Sequence, residues 1–182
     1  ISVFFLAYFI SGLLIYNDYG ISLDEPENRQ QGLITINYLG EIFFPDLVSE
    51  IKGDRKFQDF KEISLITSID RFWNYFCASL EVLFNAQNDK QAFFIKHIAT
   101  FILFFITSII FYLILKDLTN NRLLSFLGLI FLILNPRIFA NQFYSPRDIP
   151  LLCFLIFNFW FFINFLKKKI YLIYCLYLYL QH

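Results

Sequence analysis

The sequence predicts an all-α polytopic membrane protein, and three observations carry that reading. Hydrophobic residues make up 58% of the 182 positions and charged residues only 16%, whereas soluble domains run at about 45–50% and about 25%. Long apolar stretches alternate with short polar breaks along most of the chain. Fifteen acids balance fifteen bases, so there is no basic field for a nucleic acid to follow.

The elements follow in order. Ile1 to Tyr16 is apolar throughout but only 16 residues long, where a span needs about 20. No basic n-region precedes it, no small-residue cleavage site follows before Asp18, and the chain has no Met. It therefore reads as an uncleaved, truncated transmembrane helix, and the chain as an internal fragment incomplete at both ends. From Asn17 to Lys90 runs a long polar loop that carries two helices of its own. The first is expected from Pro26 to Phe44, with Leu33, Ile34, Ile36, Leu39, Ile42 and Phe43 on its apolar side. The second lies in "SIDRFWNYFCASLEVLFN", where Ile69, Phe72, Trp73, Phe76, Leu80, Leu83 and Phe84 form one stripe. That stripe suits a helix lying in the membrane interface, or one packed on another external domain. Between them "SEIKGDRKFQDFKE" reads as a solvated connection.

Four further apolar segments read as spans: residues 91–115, 120–140, 148–166, and a last one from 170 to 182. Lys116 and Arg122 bracket one short break and Lys167, Lys168 and Lys169 fill another, so these two breaks are expected on the cytoplasmic side. The long loop 17–90 and the segment Asn135 to Arg147 then lie outside, which places Asp24, Glu25 and Asp148 on one membrane face. Cys77 in the long loop, Cys153 and Cys175 form no framework and read as packing residues.

Two constellations can carry chemistry. In "DEPENRQ", Asp24 suits an N-cap with Pro26 in the first turn and Glu27 behind it. A cap does not by itself explain three clustered acids, whose mutual repulsion opposes full ionisation. In "NPRIFANQFYSPRDIPLL", Pro136 and Pro146 break helices and Asp148 opens the next span, as a cap or as a site acid. Arg137 and Arg147 near helix ends are candidate anion ligands or headgroup anchors. His97, beside Lys96, is a phosphate or metal candidate or a hydrogen-bonded packing residue; no second His or Cys lies near it in sequence.

These motifs, in this order, resemble the GT-C fold glycosyltransferases, closest to the protein-mannosyltransferase-like and the bacterial RgtA/B/C/D-like and ArnT-like branches. The resemblance rests on Asp24-Glu25 in the first external loop, on interfacial helices in that loop, and on the Pro-Arg/Arg-Asp-x-Pro-Leu segment. It covers roughly residues 1–166. It implies a GT-C-type helical bundle in a bacterial inner membrane and an active site on the extracytoplasmic face. A polyprenyl-phosphate-linked sugar would be the donor, and a lipid, glycan or protein the acceptor. Asp24 then corresponds to the base or acceptor-orienting carboxylate with Glu25 beside it, and Asp148 lies near the donor phosphate or its metal, with Arg147, Arg137 and His97 in that vicinity. A divalent cation is left open. Members of that family are about two to three times longer. A transporter with ionisable residues lining a path, and a structural protein whose acids only cap helices, are the competing expectations.

Overall fold

The computed structural model describes residues 1–43 and 71–180, with side chains over 1–43 and 72–169; the expected solvated connection, and Ser68 to Asp70 of the second loop helix, fall outside these. Among the described residues seven helices follow one another: α1 Ser2–Ile15, α2 Glu25–Phe43, α3 Arg71–Leu83, α4 Asp89–Thr119, α5 Arg122–Ile133, α6 Pro136–Tyr144 and α7 Asp148–Leu180. The described residues form no strand. Among the described residues two helices, Asp89–Thr119 and Asp148–Lys169, are long and apolar enough to cross a membrane, and α5 with α6 makes a third if the bent pair is one span. The chain is thus a helical membrane protein.

α4 is the organising element. Its 31 residues extend about 46 Å at 1.5 Å each, more than the ~30 Å hydrocarbon layer. Asn88 starts it by accepting the Gln91 N–H, and Asn120 ends it in the left-handed region at φ 51°, a conformation Asn tolerates well. Asn121 then caps α5 through the Leu123 and Leu124 N–H groups, so two adjacent amides make the tight reversal expected between Lys116 and Arg122.

The segment 120–140 is not the single straight span the hydropathy suggests. α5 ends at Ile133 and α6 leaves it at 64°. Pro136 has no N–H to continue the ladder, and Asn135 instead accepts from Arg137 and Ile138 to begin a new helix. A second difference lies at Lys167–Lys169, expected as a loop before a separate last span. The helix runs unbroken through them to Leu180, because lysine is a good helix former and neither Gly nor Pro interrupts residues 151–180.

Helices α1, α4, α5, α6 and α7 meet around Tyr8, Phe101, Phe104, Leu129, Ile133, Phe143, Ile149 and Cys153. α1 comes close because residue 12 is glycine: a Cβ there would meet three ring carbons of the fully buried Phe101, the nearest at 1.9 Å. The Tyr8 hydroxyl donates to Gln142 Oε1 across this core. Cys153 is wholly buried within it, in keeping with a packing role.

One contact sets the levels. Lys167 Nζ lies 2.7 Å from Asp117 Oδ2, so α7 and α4 are in register there. Counting back along each helix, His97 stands 20 residues and Asp148 19 residues above that contact, about 30 Å and about 28 Å. Both therefore lie one hydrocarbon thickness from the lysine-rich end.

Candidate functional site

The acidic loop is tied to α4 by a buried contact. Glu25 is fully buried, and both carboxylate oxygens accept: Oε2 from the Ser22 N–H at 2.7 Å, Oε1 from His97 Nε2 at 2.9 Å. The first of these is the reach-back half of a capping box, with Ser22 ahead and Glu25 three residues on; the Glu25 N–H donates to the Ser22 carbonyl at 3.2 Å, and the Ser22 hydroxyl has no hydrogen-bond partner among the described residues. Capping therefore falls to Glu25, not to Asp24 or Glu27 as the sequence pattern suggested. Asp24 contributes its carbonyl to the first helical turn, accepting from Asn28 N. Its carboxylate is exposed and makes no hydrogen bond or ion pair among the described residues. Stacking of Tyr19 on Phe143, with ring centroids 4.6 Å apart, fixes the other side of the same loop on α6.

A polar core continues from Glu25 toward the start of α4, between α2, α3 and α4. Asn74 Nδ2 donates to Asn28 Oδ1 at 2.9 Å. Arg29 makes a two-pronged contact with Glu81, Nε to Oε2 at 2.9 Å and Nη2 to Oε1 at 2.6 Å, and its Nη1 donates to Asp89 Oδ1 at 2.7 Å. The Arg29 guanidinium also covers the Phe93 ring at 5.6 Å. Hydrogen bonding to Glu81, more than the pull of Asp89, raises the Arg29 pKa further above its already high value, so this charge is permanent. A small cavity of about 10 Å³ sits among Asn28, Asn74, Cys77, Glu81 and Lys96, about the room one water needs. Lys96 is buried, and its Nζ has no hydrogen-bond partner among the described residues.

α3 is therefore amphipathic in an inverted sense. Its Asn74, Cys77, Ala78 and Glu81 are buried at helical spacing, with Trp73 buried at their edge, whereas Phe72, Phe76 and Leu83 are exposed. A polar stripe inside and an aromatic stripe outside suit a helix whose outer face meets lipid.

Burial pushes the Cys77 thiol from its usual 9.0 up to about 12, outweighing the opposing pull of Lys96. The folded state thus holds this proton more tightly than the unfolded chain. Stability from it is complete below pH 9 and is lost as pH rises toward 12. In detergent, unfolding free energy should fall more steeply between pH 9 and 11 for the native protein than for Cys77→Ala. Parallel slopes would contradict that assignment.

The remaining sequence candidates fall into two groups. Asp148 is exposed and opens α7, but Ser145 Oγ rather than Asp148 accepts the helix-start N–H, at 3.3 Å. Arg147 stands close enough to Lys96 for their charges to act on each other, which brings the start of α7 toward the Glu25–His97 pair. Arg137 is exposed at the start of α6 and has no such link. Among the described residues no three His, Cys, Asp or Glu side chains gather as a metal would require. Asn28, Arg29, Asn74 and Glu81 were not singled out in sequence; the only available signal was polar residues seven apart on an otherwise aromatic helix. No family model, curated protein or solved structure matches this chain.

Proposed function

We propose that the protein is a membrane glycosyltransferase of GT-C type, acting on a lipid-phosphate-linked sugar at the membrane face that carries the acidic loop. The observation that supports this most is the Glu25–His97 bond, which seats the loop at the level of the Asp148 helix start and leaves the Asp24 carboxylate exposed beside it. A lipid-linked sugar presents its polar head at that level.

In this reading Asp24 takes the proton from an acceptor hydroxyl while the oxygen of that hydroxyl attacks the anomeric carbon. The bond from that carbon to the phosphate oxygen breaks, and the electron pair leaves with the polyprenyl phosphate, inverting the centre. Arg147, beside the start of α7, offsets the charge developing on the phosphate, and exposed Arg137 is left free to reach a headgroup. Glu25, fully buried and with both oxygens engaged, holds the loop in place. Asp148 lies on the donor side. A transport path is the poorer fit, since the buried ionisable groups gather at one end of α4 and not at its middle.

Native and Asp24→Asn proteins, at matched expression in membranes supplied with labelled polyprenyl-phosphate sugars, test this. The variant should transfer at least about 100-fold more slowly, the lower range for loss of a general base. Its unfolding temperature should be unchanged, because the Asp24 side chain has no partner among the described residues. Equal transfer by both proteins would remove Asp24 from the chemistry.

A further inference from the structure

We infer that the groove between α3 and α4 binds one acyl chain of a membrane phospholipid. The groove has a volume of about 680 Å³, within the ~300–1,000 Å³ of well-formed ligand pockets. Every residue lining it is apolar or aromatic: Trp73, Phe76 and Leu80 form one wall, Ile98 and Ile102 the floor, and Phe154 of α7 closes the side. Phe76 and Ile102 remain 40% and 38% exposed, in a position beside two helices long enough to cross the membrane. Water cannot solvate such a surface without cost, so hydrocarbon must cover it.

Length selects the occupant. Along α4 the lining residues run from Ile95 to Ile106, eleven steps or about 16 Å, close to half of the ~30 Å hydrocarbon layer. The groove begins at the level of His97 and ends near mid-membrane, so it has the depth of a single leaflet. A phospholipid acyl chain has that reach, whereas a polyprenyl chain, which outruns one leaflet, would leave the groove at its inner end. Ala99 is the smallest lining residue, so a larger side chain at this position narrows the groove. This holds whether or not the protein transfers a sugar.

The chain contains two tryptophans, and Trp160→Phe leaves Trp73, in the groove wall, as the sole indole. In mild detergent this protein is titrated with a phospholipid brominated midway along one acyl chain, which quenches indole on contact. Quenching should saturate near one phospholipid per chain and be reversed by the same lipid without bromine. Ala99→Phe in the same background should need about tenfold more lipid, as expected when room for one or two methylenes is lost. If Ala99→Phe does not fold, Ala99→Leu should show a smaller shift in the same direction. The proposal is overturned by quenching that does not saturate, as when the protein's own chain covers the groove. It is equally overturned by indifference to both Ala99 variants, or by displacement with polyprenyl phosphate but not with phospholipid.

Discussion

An Arg29→Ala protein is expected to lose about 3 kcal/mol of stability, the lower end of what removing one partner of a buried ion pair costs. Arg29 keeps 22% side-chain exposure, which screens part of the interaction, but Glu81 keeps only 3%. Deleting the guanidinium leaves that carboxylate buried against α2 and α4 with both of its hydrogen bonds gone. It also frees the start of α4, because the contact with exposed Asp89 and the cover over Phe93 disappear together. Arg29→Lys should recover only part of the loss, since an ammonium cannot reproduce the two-pronged contact. Double replacement, Arg29→Met with Glu81→Leu, should be milder than Arg29→Ala, because no charge is then stranded. Thermal or denaturant unfolding in detergent measures all three, and a double variant weaker than the single one would refute the account.

Gly32→Val should cost about as much, around 3 kcal/mol, the upper range for overpacking. Gly32 sits where α2 crosses α3. A Cβ there would lie 2.4 Å from the Asn74 carbonyl oxygen, 2.9 Å from its carbonyl carbon and 3.0 Å from the Ala78 Cβ. Two of these atoms are backbone, so no rotamer change relieves the clash and the helices must separate. Separation stretches the Asn74–Asn28 bond one turn away. Gly20 provides the control: nothing lies within 4 Å of its position for a Cβ, so Gly20→Ala should stay within about 0.5 kcal/mol. Equal unfolding midpoints for Gly32→Val and native protein would mean that α2 and α3 do not pack as described.

Helix identity was legible wherever apolar residues recur at helical spacing. Glu25–Phe43, Arg71–Leu83 and Asp89–Thr119 each fall within a few residues of their expected bounds. Three things were not legible. Hydropathy sums over a window, so it joined α5 to α6 across Pro136, and it treated Lys167–Lys169 as a break although lysine readily continues a helix. Pairing across long separations was also hidden: nothing local to Glu25 announces His97, 72 residues on. In the acidic loop the pattern pointed to a cap but to the wrong acid, Asp24 in place of Glu25. Only the fold distinguishes a buried Glu25 from an exposed Asp24 at adjacent positions.

The inverted amphipathicity of α3 bears on the order in which the chain comes together during synthesis. α2 and α3 emerge before α4, yet Glu25 reaches its histidine, and Arg29 its second carboxylate, only when α4 is in place. Until then Glu25 lacks its α4 partner, and the aromatic side of α3 has no hydrocarbon to meet unless a bilayer is already at hand. The acidic loop is therefore seated after the long span inserts, so that its geometry is completed last and next to the membrane surface.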